Sequence, residues 1–236
     1  MRSLPWLLYF QDNRTPSPHP WDDPYRLTPA ERETVSASVQ QFQLGEGSDG
    51  SSFFSRGAEL AADPDFLPSL RLFVAEEQRH SAELGRFLDR EGIPRLARHW
   101  VDQVFRRLRK LAGLEVMVRV LVTAEIIALP YYRALREATR SPLLRSICSR
   151  ILSDEDAHLR YQAATLLRLG RRRWVDVAHR WLLYATLLVV WKEHRRVFRA
   201  GKYRFSRVAC EALDALDEVL LREAQPAARL AERWLR

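Results

Sequence analysis

Two E-x-x-H motifs, Glu77–His80 and Glu155–His158, stand 78 residues apart, and each falls where a helix would face a core. In "LPSLRLFVAEEQRHSAELGRFLDREG", Leu70, Phe73, Leu84 and Phe87 recur at helical spacing, and Glu77 and His80 share their stripe. In "LLRSICSRILSDEDAHLRYQAATLLRL", Leu152, Leu159 and Leu166 set the stripe, with Glu155 and His158 alongside. Positions i and i+3 are neighbours on a helix, so each pair can grip one ion from one face. A buried carboxylate is costly without a partner or a cation. One such motif is most simply a solvated polar face. Two of them on two core-facing helices arise far less easily by chance.

The rest of the chain reads as all-α. Glycine is infrequent, Asn-Gly is absent, and long stretches keep a 3.6-residue period. The 236 residues suffice for one large domain with a sizeable core. A first helix is expected from "LTPAERE" onward, with Thr28 as N-cap, Pro29 in the first turn and Glu31 closing a capping box. It is read as continuous to the "ADPD" turn at residues 62–65. A second helix opens at Pro64 or Pro68 and ends near Gly92 and Pro94. After a basic crossover over 92–112, a third covers "LEVMVRVLVTAEIIALPYYRALREAT", with Pro130 expected to kink it. Ser141-Pro142 opens a fourth, and further helices are expected near 171–199, 205–223 and 226–235. Residues 1–27, Pro-rich and aromatic, read as an irregular arm packing through Trp6, Trp21 and Tyr25, without the cleavage site of a signal peptide. The run "WLLYATLLVVW", residues 181–191, is too short to span a membrane and suits a buried helix. Cys148 and Cys210 form neither a disulfide framework nor a zinc pattern, which agrees with reduced thiols and a cytoplasmic location.

A dinuclear carboxylate site needs one Glu from each of two further helices. Glu125 stands alone in the apolar "VLVTAEIIALPYY" of the third helix. The first offers Glu31, Glu33, Glu46 and Glu59, and hairpin geometry chooses among them. Glu77 lies 14 residues past Asp63 in the turn and Glu46 17 before it, a mismatch of about 5 Å at 1.5 Å per residue. Glu59 would be off by roughly 15 Å and Glu33 by about 24 Å. The two hairpins then match, with 31 residues from Glu46 to Glu77 and 30 from Glu125 to Glu155. Four carboxylates and two imidazoles suit two adjacent divalent iron or manganese ions.

In these residues the chain resembles the ferritin-like di-iron carboxylate superfamily. The order E…E-x-x-H…E…E-x-x-H is carried by Glu46, Glu77, His80, Glu125, Glu155 and His158 over roughly residues 28–169. "EEQRH" looks like the first iron motif of acyl-carrier-protein desaturases, and "DEDAH" is similar to the D-E-x-x-H of desaturases and ribonucleotide reductase small subunits. The resemblance implies a ferritin-like four-helix bundle over 28–169, with residues 170–236 as a basic helical extension packed on it. It implies two iron ions (Fe/Fe, or Mn/Fe), O₂, an electron donor and an organic substrate that the sequence leaves unidentified. It also implies that Asp154 serves the ring of His80 and Glu76 that of His158.

The implied activity is an oxygen-activating oxidoreductase; the alternatives are a peroxide- or iron-handling protein and a non-catalytic bundle that keeps metal for stability. Many oxygen-activating members carry Thr one turn past the third-helix Glu, where this chain has Ala128 and Leu129. Reductase small subunits place a radical Tyr where Leu84 stands. Tyr132 and Tyr161 lie on the ligand faces as redox candidates, with core packing as the simpler role. Gly45, Gly47 and Gly50 flank Glu46, and each costs about 1 kcal/mol inside a helix relative to Ala. They suit close helix approach, a distorted turn, or room for oxygen and substrate. His179 and His194 lack a partner pattern and read as structural or surface residues.

The formal net charge of +8 is uneven, with fifteen Lys/Arg against eight Asp/Glu in residues 171–236. Such a surface suits an acidic carrier protein or an anionic surface, and equally an Arg-rich composition without a partner. A homodimer is compatible with the sequence; no specific nucleic acid is expected.

Overall fold

The first helix, expected to run unbroken to the "ADPD" turn, stops at Glu46 in the computed structural model, which describes residues 3–15, 18–47, 50–57, 60, 62–100, 103–104, 113–170 and 173–224. Among these are eight helices and no strand: α1 (Leu4–Asp12), α2 (Pro29–Glu46), α3 (Ser51–Gly57), α4 (Phe66–Arg90), α5 (Leu114–Ala138), α6 (Pro142–Leu169), α7 (Arg173–Ala200) and α8 (Phe205–Ala224). The protein is all-α, and no described helix is long and apolar enough to cross a membrane.

Local chemistry sets the ends. Thr28 Oγ1 accepts from the Glu31 N–H while the Glu31 carboxylate accepts from the Thr28 N–H, closing a capping box behind Pro29. Ser141 Oγ accepts from the Leu144 N–H at the start of α6, again with Pro in the first turn. α5 continues through Pro130 to Ala138. After α2 the chain turns through Gly50, whose φ of +68° and lack of a Cβ both matter, since a Cβ there would sit 2.9 Å from Val74 Cγ1 of α4. Gly47, the C-cap of α2, and Gly50 therefore belong to a break between α2 and α3, while Gly45 lies in the last turn of α2.

Hydrogen bonds fix the registers. Gln43 donates to Ser81 Oγ and Ser81 Oγ to the Gln43 carbonyl, which sets α2 antiparallel to α4 with Glu46 level with Glu77. α6 runs antiparallel to α4 and to α5, and α5 packs on α2, so these four helices close a ring. α7 packs on α5 and α2, and α8 on α6, α5 and α7. Gly201, between α7 and α8, touches the backbone of Ala134 where a Cβ would overlap it. Leu183, Val197, Val208 and Leu216 join the same core as Phe73, Leu84, Ile126 and Ile151, so the C-terminal helices share one interior with the ring.

Three expectations change. The arm over 1–27 is not wholly irregular: residues 4–12 form α1, docked on α4 with Phe10 buried against Phe73 and Tyr161. A helix this short is marginal alone, and burying residues such as Phe10, worth about 1.5–3 kcal/mol each, is what holds it. The second helix begins at Phe66, with Pro68 inside its first turn. The run 181–191 is only half buried: Leu183, Leu187 and Val190 face the core, while Trp181, Tyr184 and Leu188 face outward. The helix expected over 226–235, Arg171, Arg172 and residues 101–102 and 105–112 of the crossover lie outside the described residues.

Candidate metal centre

α4 and α6 cross antiparallel, and each carries an acid four residues before a histidine. That register makes the pairs reciprocal. His80 Nε2 lies 3.0 Å from Asp154 Oδ2, and His158 Nε2 lies 3.0 Å from Glu76 Oε2. The carboxylates can only accept, so each imidazole presents Nε2–H to its acid and turns Nδ1 inward. Burial pushes Asp154 upward, but the His80 ring beside it, Asn13 and Arg150 hold it well below the usual carboxylate range.

The inward atoms converge. His80 Nδ1 lies 3.9 Å from Glu77 Oε1 and 3.8 Å from Glu155 Oε1; His158 Nδ1 lies 2.9 Å from Glu77 Oε1 and 3.8 Å from Glu155 Oε2. Glu125 reaches in from α5 and Glu46 from the last residue of α2. One ligand atom from each of Glu46, Glu77, His80 and Glu155 falls within 4.8 Å of the others, and so does one from each of Glu77, Glu125, Glu155 and His158. The two groups overlap in Glu77 and Glu155. All six residues singled out in the sequence are thus brought together, and these buried groups could hold a metal ion.

His80 Nδ1, Glu125 Oε2 and Glu155 Oε2 are buried and make no hydrogen bond, while His158 Nδ1 and Glu77 Oε1 are paired at 2.9 Å. So many buried ligand atoms turned toward one another are costly unless protons or a cation lie between them. The protein satisfies the outer atoms of the same residues: the Tyr132 hydroxyl donates to Glu46 Oε1 at 2.7 Å, and the Gln162 amide donates to Glu125 Oε1. Electrostatics agree. Burial, then the neighbouring Glu77 and Glu155, pushes Glu46 well up. Burial and Glu155 do the same to Glu125, and burial raises Glu155. For His158 burial favours the neutral ring, yet Glu155, Glu76 and Glu77 outweigh it and raise its pKa well above the ordinary value. Burial opposes ionised Glu77, but His158 and His80 pull it down. Without a cation the cluster holds protons, and a bound cation would displace them.

Several contributors had no motif. Asn13, at the C-terminus of α1, donates from Nδ2 to Glu76 Oε1 at 2.7 Å and to Asp154 Oδ1 at 2.9 Å. Arg79 and Arg150 each donate to Asp154 Oδ2 at 2.9 Å, and both also reach the Asn13 carbonyl at 3.1 Å. Arg150 stands four residues before Asp154, the one hint the sequence offered. Of the two tyrosines, Tyr132 touches a ligand, whereas the Tyr161 hydroxyl pairs with Ser69 Oγ at 3.1 Å and its ring packs on Phe10 and Phe73. Burial and Glu46 hold Tyr132 in its neutral form. The remaining first-helix acids serve elsewhere: Glu31 caps α2, and exposed Glu33 pairs with Arg196. Glu59 lies outside the described residues.

His179 and His194 are buried and already partnered. His179 bonds Thr123 Oγ1 at 3.0 Å, and burial with Arg119 lowers its pKa to about 4. His194 bonds Ser38 Oγ at 2.7 Å, and burial lowers its pKa to about 3. Comparison with family models, curated proteins and solved structures found no match to this chain.

Proposed function

We propose that the chain is an oxygen-activating non-haem di-iron oxidoreductase, built as a ferritin-like four-helix bundle of α2, α4, α5 and α6. The observation that carries this reading is that the two E-x-x-H pairs, Glu46 and Glu125 bring buried ligand atoms into two overlapping groups, with His80 Nδ1, Glu125 Oε2 and Glu155 Oε2 left without a hydrogen bond. Glu46, Glu77, His80 and Glu155 would hold one ion; Glu77, Glu125, Glu155 and His158 the other. Arg79 and Arg150 offset Glu76 and Asp154, so four ligand carboxylates would balance two divalent cations. A bound ferrous pair would supply two of the four electrons that reduce O₂ to water, the organic substrate would supply the other two, and an external electron donor would restore the iron.

The chain's residues do the rest. Asp154 and Glu76 hold the Nε2 protons, which fixes both imidazoles for ligation through Nδ1. Tyr132 and Gln162 hold the outer oxygens of Glu46 and Glu125. Phe73 stacks edge-on to His158 at 4.7 Å between ring centres, and Phe10 lies beyond it, so that side is closed to water. The Ala128 site offers no hydroxyl, so hydroxylation, desaturation and N-oxidation stay equal candidates for the substrate step.

The test begins with anaerobic reconstitution in ferrous iron. Elemental analysis should give close to two ions per chain, and a reproducible value near zero would sink the metal reading. Stopped-flow mixing with O₂ should then show rapid oxygen uptake with a transient absorption. A loaded protein inert to O₂ for hours would leave the metal structural. Iron mineralised inside a multi-subunit shell would make it a storage protein instead.

A further inference from the structure

The outward face of α7 carries an apolar stripe that the ring does not use. Trp174, Trp181 and Leu188 recur every seven residues, as do Val177 and Tyr184, with Ala178 and Ala185 beside them. Trp174 and Trp181 are 69 % and 70 % exposed, and Val177, Tyr184 and Leu188 are exposed as well. Arg180 is the one exposed charge among residues 174–191, and it is tied to Asp217 of α8. That ion pair sets α8 alongside and places exposed Leu221, one turn past Asp217, at the edge of the same patch.

A strict seven-residue repeat of large residues beside small ones is what a second helix needs for knobs-into-holes packing. Asp217 of α8 neutralises Arg180 along one edge of the stripe, while exposed Lys192, Arg195 and Arg199 continue its face beyond Leu188, so an anionic lipid surface is the competing occupant that the vesicle measurement below tests. The stripe is also symmetric about its centre, since Trp174 and Leu188 each stand seven residues from Trp181. A two-fold axis at Trp181 would set Trp174 of one copy against Leu188 of the other. Six exposed apolar side chains offering roughly 100 Å² each give about 600 Å² per copy, or on the order of 1,200 Å² buried in a pair, the lower bound of a stable dimer interface.

We infer that α7 is the dimerisation helix of this protein and that its occupant is a second copy of the same chain, packed antiparallel about Trp181. The inference stands apart from the metal reading. It places the contact on the side of α7 facing away from α5, and so away from the Glu125 ligand.

The full chain should sediment at twice its monomer mass at micromolar concentration. Trp181→Arg, a change at an exposed site, should weaken self-association about 100-fold while circular dichroism and metal content stay unchanged. In a Cys210→Ser background, Ala178→Cys, an exposed site three residues from the axis and so about 9 Å from its symmetry mate, should be captured as a covalent dimer by a short bis-maleimide. Lys192→Cys should not, because eleven residues from the axis puts it about 33 Å from its symmetry mate. Cross-linking of both would overturn the antiparallel geometry. A monomeric wild-type protein would overturn the inference outright. So would a chain that dimerises only after residues 225–236 are removed, since the tail would then cover the stripe, or one whose Trp181 fluorescence shifts only on lipid vesicles.

Discussion

On the α4/α6 side of the cluster, each histidine is tied by a carboxylate that is itself tied by Asn13, with Arg79 and Arg150 behind Asp154. On the α2/α5 side, Glu46 and Glu125 each rest on one neutral donor, Tyr132 and Gln162. Ionic, multiply anchored ligands keep their geometry, whereas a carboxylate held by one neutral bond can swing at small cost. On the proposed metal reading the α4/α6 pair would fix where ions sit, and the α2/α5 pair is where a ligand could shift to admit another molecule.

The largest test of this asymmetry is the loss of a shared ligand. Glu77→Ala or Glu155→Ala should take bound iron from two per chain to nearly none, because each carboxylate serves both groups. Glu46→Ala or Glu125→Ala should leave about one ion. Equal losses at all four positions would erase the distinction.

Next comes Asn13→Ala. It removes the donor shared by Glu76 and Asp154, and competition against a chelator should show affinity about 10-fold weaker. Asn13→Asp should be worse still, since a third carboxylate would face the same two acids.

Tyr132→Phe should be milder. Two ions should remain, and thermal denaturation should report a loss of about 1 kcal/mol for the missing bond to Glu46. An effect on affinity as large as that of Asn13→Ala would place rigid anchoring on the α2/α5 side as well.

The smallest effect concerns Glu31, which joins the start of α2 to the α5–α6 turn through the Arg140 N–H at 2.7 Å. Burial raises its pKa, but that N–H, the Tyr25 hydroxyl and the Thr28 groups bring it down to about 2 from 4.5. A depressed carboxyl stabilises the fold above its unfolded pKa, and the contribution is lost as pH falls through the folded value. Discounted for solvent screening, it is about 1 kcal/mol, or a Tm drop of roughly 2–4 °C in Glu31→Gln at pH 7. The gap between variant and wild type should close as pH falls from 4.5 to 2.

Why some of this was legible in the sequence follows from the same physics. Glu77, His80, Glu155 and His158 carried a local signal, because polar pairs on apolar stripes need a reason. Glu46 emerged from a hairpin ruler, although the unbroken helix that the ruler assumed ends at Glu46 itself. The cost of three nearby glycines was visible, but the turn at Gly50 depends on Val74 of a different helix. α1 and Asn13 left no trace: a nine-residue helix is specified by the surface it docks on, and an Asn joining two acids has no spacing rule. The outward half of α7 read as core because composition alone does not separate a buried apolar run from one that waits for a partner.

Asn13 also bears on the order of events during folding. It meets Glu76 across 63 residues and Asp154 across 141, the second among the longest loops the fold must close. Closing them is entropically unfavourable until α4 and α6 already lie together, so α1 should dock after that pair forms. During that interval the histidine side of the cluster is open. If the cluster holds ions as proposed, their capture would have a kinetic window: ions entering before α1 seats would be sealed in by it, and a chain folded without them would have to release α1 to load from that side.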